Sequence, residues 1–183
     1  MRPSSRNLIL DAAIRVTERG GITSLTLESA AEEAGVTKGG LMYHFRTREE
    51  LLLAIQRQLT GAWEEQLAAE LGKPLEEASP RETVAAYVRV GAEAGASKAD
   101  LTFMIESVSR PELAQVWSDM LSRWAAPARS TEPRDIDLFL AQLAVDGLWL
   151  YTATSGDRLP EPVREAVRQR LIALTEAEPT GVV

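Results

Sequence analysis

The chain of 183 residues has no cysteine and one histidine, His44. Without cysteine there are no disulfides, no thiolate nucleophile and no sulfur-bound zinc. One histidine rules out the paired-histidine zinc helix. No glycine-rich phosphate loop and no nucleophile elbow occur either. Neither catalysis nor a metal or cofactor is expected. No apolar run approaches the roughly 18 residues that span a bilayer. The basic start, Met1 to Arg6, leads into no signal core, because Asp11 soon interrupts the apolar stretch. No membrane partner and a cytoplasmic location are therefore expected.

Basic residues are outnumbered, 20 against 27, for a net charge of −7. The deficit is uneven. Residues 1–59 hold eight Lys/Arg and seven Asp/Glu, so the acidity sits in the remainder. A local basic face is enough to meet phosphates, whatever the total charge. Hydrophobic residues at 45% and charged residues at 26% are ordinary for a folded globular chain.

Apolar residues recur at helical spacing almost throughout, and no strand pattern or internal repeat is present. Leu8, Ile9, Ala12, Ala13 and Val16 form one face of a first helix that ends at Gly20-Gly21, with Ser5 as its cap. Thr26 caps a second helix, Leu27 to Ala34, which Gly35 breaks. A third runs from Lys38 to Phe45. Thr47 with Glu50 forms a capping box for a long fourth helix reaching Leu71. Further helices are expected over Pro80 to Ala94, Lys98 to Ser109, Pro111 to Ala125, Pro133 to Thr154 and Pro160 to Ala177, several opened by proline at a position that needs no N–H. A frayed tail follows from Pro179. The fold class is all-α with about nine helices. A three-helix head over 1–47 precedes a helical body over 48–183.

The segment Leu25 to Phe45 reads as two short helices about a tight turn, the geometry of a helix-turn-helix and equally of an ordinary helical hairpin. Ala30, Ala31 and Ala34 let two short helices cross closely, and Gly35 allows the turn. Val36 and Leu41 plug the space between them. Lys38, Gly39, Gly40, Met42 and Tyr43 are left partly or wholly outward, and in a helix-turn-helix they are the candidates for the DNA groove and its phosphate walls.

The run Thr37-Lys38-Gly39-Gly40-Leu41-Met42-Tyr43-His44-Phe45-Arg46-Thr47-Arg48-Glu49-Glu50-Leu51 closely resembles the signature of the TetR family of bacterial regulators. The match extends over roughly residues 7 to 53. The resemblance implies that Thr26 touches a phosphate and that Thr37 and Lys38 contact phosphates or base edges. It implies that Tyr43 places its hydroxyl on a phosphate, that His44 lies near the backbone or braces the turn, and that Arg48 reaches a phosphate. Gly39 and Gly40 allow close approach of the main chain. Gly40 and Met42 replace residues that are often polar or tyrosine in the family, so side-chain reading of bases rests on few groups and DNA shape contributes.

The helix expected over Pro133 to Thr154 is apolar nearly all round, which places it between two surfaces. With the last helix it forms a candidate dimer interface, carried by Phe139, Leu143, Leu150, Val163, Val167 and Leu171. The resemblance implies the same four-helix arrangement. It also implies a small-molecule effector in the body. Trp63, Tyr87, Phe103, Met104, Trp117 and Trp149 are candidates to line that site, which suits an apolar or aromatic ligand. Glu93, Glu106 or Asp146, if buried, would select a cation. The expected function is a homodimeric regulator, a repressor, that binds an inverted-repeat DNA operator and is released by its effector.

Overall fold

The computed structural model describes residues 4–93, 97–125, 129–155 and 159–176. Arg2, Ala94, Ala177 and the tail from Pro179 lie outside the described residues. Among the described residues there are nine α-helices and no strand. They are α1 (Ser5–Gly20), α2 (Leu27–Ala34), α3 (Lys38–His44), α4 (Arg48–Leu71), α5 (Pro80–Glu93), α6 (Lys98–Ser107), α7 (Pro111–Trp124), α8 (Pro133–Thr154) and α9 (Glu161–Glu176). Two 3-10 turns, Ile22–Ser24 and Leu75–Glu77, occupy connectors that carry no helical periodicity.

Helix starts follow local chemistry. Ser4, one residue earlier than expected, caps α1 by accepting from the Asn7 N–H at 3.2 Å. Thr26 and Ser29 form a reciprocal capping box at α2, and Ser97 with Asp100 forms another at α6. α6 stops at Ser107 rather than Ser109. The Val108 and Ser109 amides bond three residues back instead of four, tightening the chain ahead of Pro111.

The chain divides into two compact units, Met1–Ala62 with Ser97–Trp117 and Trp63–Ala96 with Ser118–Val183. Two of the three boundaries fall within α4 and α7, and the third lies between α5 and α6. The first unit contains the expected head and also α6. Its core joins Ile9, Leu10, Ala13, Leu25, Ala30, Leu41, Phe45, Leu51, Leu52 and Ile55 with Phe103 and Leu113. Each large aliphatic side chain fully buried here contributes about 1.5–3 kcal/mol relative to an exposed one. That core fixes the angle at which α2 and α3 leave α1.

In the second unit α5 packs on α8 and α9, and α8 on α9. Gly91 marks a close approach of α5 to α8. A Cβ built there would lie 3.0 Å from Val145 Cγ2. α8 has two apolar stripes. Ala141, Val145 and Trp149 turn inward and are buried. Ile136, Leu140, Leu143, Leu150 and Tyr151 lie on the other side, 38–51% exposed. By length and hydropathy α8 could cross a membrane. Its inward stripe instead meets α5 and α9, and carries Gln142 and Asp146.

Candidate functional site

The turn between α2 and α3 is built by Gly35, at φ 67°, where a side chain would be strained. The Val36 N–H closes back on the Ala31 carbonyl at 3.0 Å, completing a Schellman-type end to α2. Thr37 then caps α3, its hydroxyl accepting from the Gly40 N–H at 3.0 Å. Gly40 suits this cap, because a Cβ there would come within 3.2 Å of Thr37 Oγ1. A Cβ on Gly39 would meet only open space. After Lys38, the first turn of α3 therefore presents main chain rather than side chains.

Tyr43 stands 85% exposed at the far end of α3, its ring edge-on to His44 at 5.2 Å between centroids. Met42 is exposed beside it, while Leu41 and Phe45 are buried in the core. Arg6 lies over the Phe45 ring, 5.3 Å from its centroid. This cation–π contact ties the start of α1 to the end of the recognition helix. Lys38 is ion-paired with Glu28 on α2. That pairing, with a backbone bond, holds the Glu28 carboxyl below its ordinary range.

Arg48 behaves differently from expectation. Its Nε donates to the Leu25 carbonyl at 2.7 Å and its Nη2 to the Ile22 carbonyl at 2.8 Å. The guanidinium clamps the 3-10 turn that leads into α2. Two parallel donors match two carbonyls of a tight turn, a role the planar fork suits and an ammonium does not. Arg46, two residues earlier, is the more exposed of the two.

The second unit holds a different cluster. The Tyr87 hydroxyl on α5 donates to Asp146 Oδ1 on α8 at 2.7 Å. Burial pushes the Asp146 carboxyl up, and the tyrosine bond only partly offsets this. Burial first, then the neighbouring carboxylate, pushes the Tyr87 hydroxyl up as well. On the same flank of α8, the Gln142 carbonyl oxygen and the Trp149 indole N–H are buried and have no hydrogen-bond partner among the described residues.

Residues 9–55 match the family described as "Bacterial regulatory proteins, tetR family". Residues 81–176 match "Tetracyclin repressor-like, C-terminal domain". The chain belongs to the TetR family. It is 32% identical over 168 residues to the HTH-type transcriptional regulator BetI of Cronobacter sakazakii, covering 85% of this chain and 83% of that one. Among solved structures, the multidrug binding protein EbrR complexed with imidazole matches 98% of this chain and 99% of its own at 27% identity, with a TM-score of 0.65. A transcriptional regulator from Saccharomonospora viridis in complex with choline shares the fold, with a TM-score of 0.71 at 21% identity over 94% of this chain and 95% of its own.

This TetR-family chain is a DNA-binding transcriptional regulator, and its two units sort the residues singled out in the sequence. Thr26, Thr37, Lys38, Gly39, Gly40, Tyr43 and His44 come together around α2 and α3. Thr26 and Thr37 both use their hydroxyls as helix caps. Of the six effector candidates, Phe103 is a core residue of the first unit. Met104 and Trp117 are half-buried in that unit, and Trp63, Tyr87 and Trp149 are buried in the second. Clefts in the second unit lined by Arg81, Arg89 and Thr175, and by Glu93, Arg164 and Arg168, include none of the six. Of the dimer candidates, Leu143, Leu150 and Val163 are exposed, and Phe139 and Val167 half-buried. Leu171 is only 5% exposed, so it packs inside its own protomer and offers a partner little surface. Glu28 escaped the sequence reading. A carboxylate in the first turn of a helix reads as dipole compensation, and only the folded chain brings it to Lys38.

Proposed function

We propose that the protein is a homodimeric repressor that binds an inverted-repeat operator in the cytoplasm and is released by a small-molecule effector held in its second unit. The observation that carries the DNA-binding part is the face of α3. Lys38 opens it, Gly39 and Gly40 leave the rest of its first turn as bare main chain, and Tyr43 stands out near its end from the buried core. Thr26, Thr37, Tyr43 and Arg46 are the phosphate-contacting set in this reading, with Arg48 holding the turn behind them.

The exposed stripe of α8 supports the dimer. Leu140, Leu143, Leu150 and Tyr151 line one exposed apolar stripe of α8, and Val163 of α9 is exposed as well; apolar side chains gathered on one exposed face mark an interaction surface. A second copy related by a two-fold axis would cover it and supply the second DNA-binding head. Half-sites lie about 34–36 Å apart, one turn of DNA. The complexes of EbrR with imidazole and of the S. viridis regulator with choline support small-molecule binding by a chain of this fold. A ligand that binds one head spacing better than the other shifts the population, and operator and effector weaken each other reciprocally.

The test is selection of bound duplexes from a random pool, then titration at several salt concentrations. The expected result is an inverted repeat whose affinity falls linearly with salt on a log–log plot. Failure to enrich any sequence, or salt-independent binding, overturns the reading.

A further inference from the structure

We propose that Tyr87, Asp146, Gln142 and Trp149 form the recognition point for a compact organic cation that also carries a hydrogen-bonding group. The inference rests on the reading of the second unit as effector-binding, and assigns the chemical class that unit selects.

Three observations converge on one flank of α8. Gln142, Asp146 and Trp149 are spaced four and three residues apart, so they stack along a single stripe beside inward-facing Val145. Asp146 is the charged member. Among the described residues its partner is the neutral Tyr87 hydroxyl, at 2.7 Å. A phenol donor leaves the carboxylate charge uncompensated, and burial already disfavours that charge. A cation would restore what burial removes. Trp149 and Gln142, only 6% and 7% exposed, each leave one polar atom unpaired, an indole donor and an amide acceptor. Buried polar atoms without partners are uncommon and ask for an explanation. A bound hydroxyl or carbonyl supplies a partner to one or both.

The aromatic members fit the same ligand. The faces of Tyr87 and Trp149 carry negative quadrupole potential, which attracts a methylated ammonium without demanding N–H donors. An anion would be repelled by Asp146. A neutral apolar ligand would desolvate the carboxylate further and gain nothing from it. The pair is held in register by Gly91, one turn beyond Tyr87, whose missing side chain admits Val145 of α8.

The experiment is calorimetric titration of the full-length protein with tetramethylammonium, choline and benzyltrimethylammonium. The uncharged isostere of choline, 3,3-dimethylbutan-1-ol, is run beside them. Saturable binding of at least one cation is expected, with the isostere at least tenfold weaker than choline. Asp146→Asn keeps an acceptor for Tyr87 and should fold, yet weaken cation binding at least tenfold. Glu161→Gln, an exposed acid on α9, should leave binding unchanged. Absence of binding by all three cations, equal binding of the isostere, or unaltered binding by Asp146→Asn overturns the proposal. The effector reading fails separately. If cations bind but no small molecule releases operator DNA, that reading falls. If a neutral compound releases DNA while cations do not bind, the reading stands and the cation site falls.

Discussion

Lys38, the first residue of the recognition helix, is ion-paired to Glu28 in the first turn of α2. Both side chains are more than half exposed, 56% and 62%. The pair sits at the start of the face proposed to meet DNA. A phosphate must compete with Glu28 for the ammonium, and the carboxylate itself repels the duplex. Glu28→Ala should therefore raise DNA affinity several-fold. Lys38→Ala should lower it about tenfold and reduce the salt slope by about one. Fluorescence anisotropy against sodium chloride measures both, and weaker binding by Glu28→Ala would show instead that its carboxylate reads a base.

Tyr43→Phe tests the phosphate contact proposed at the other end of α3. The residue is 85% exposed, so removing one hydroxyl should leave the melting temperature within about a degree. Operator affinity should fall about five- to tenfold, the loss of one hydrogen bond to a charged acceptor. Equal affinity in a gel-shift titration would remove Tyr43 from the interface.

Arg48→Ala should act on stability before it acts on DNA. It strips donors from the Leu25 and Ile22 carbonyls in a part-buried turn. The expected cost is about 2 kcal/mol, the range for hydrogen bonds to a charged group. Arg48→Lys should recover little, since one ammonium cannot span both carbonyls. Chemical denaturation with urea distinguishes this from a pure phosphate contact, which would leave the midpoint unchanged.

Leu143 and Leu150 lie on the outward stripe of α8, 50% and 45% exposed. The double change Leu143→Glu and Leu150→Glu places two carboxylates on the proposed two-fold interface. Sedimentation should show monomers at concentrations where the wild type is dimeric, and operator affinity should collapse with them. Leu171→Ala is the contrasting variant. At 5% exposure it should cost about 2–5 kcal/mol of stability, as truncation of a buried leucine does.

Asp146 gives a pH dependence whose sign is set by burial. Its folded pKa lies above the unfolded value. Its stabilising contribution is therefore full below the unfolded pKa and is lost as pH rises through the folded one. At neutral pH Asp146→Asn should melt at a higher temperature than wild type, and the difference should vanish in acid. Cation affinity should run the other way, falling as the carboxyl is protonated. Thermal melts from pH 4 to 8 in the absence of cation measure the first effect, and titrations over the same range the second.

Much of this protein follows from local sequence. The caps Thr26 and Thr37, the Gly35 turn and the proline-opened α8 act over a few residues of chain, so their positions are written in order along it. The family signature from Thr37 to Leu51 is legible for the same reason, since a recognition helix is specified by one short run. The two faces of α8 are also implied there, because a helix apolar all round must meet two surfaces.

What only the tertiary structure decided are the pairings between distant segments. Phe103 reads as one aromatic among several, yet α6 carries it into the core of the first unit. Arg48 looks like a phosphate ligand until α4 places its guanidinium on two carbonyls more than twenty residues away. Leu171 shares its periodic face with Val163 and Val167 but is turned inside. Asp146 is one of three acids that could select a cation if buried, and only α5, admitted closely at Gly91, brings Tyr87 to it and marks it out. In each case the helical period states which residues share a stripe. Which neighbour that stripe meets depends on packing across the fold, where burial and charge are settled together.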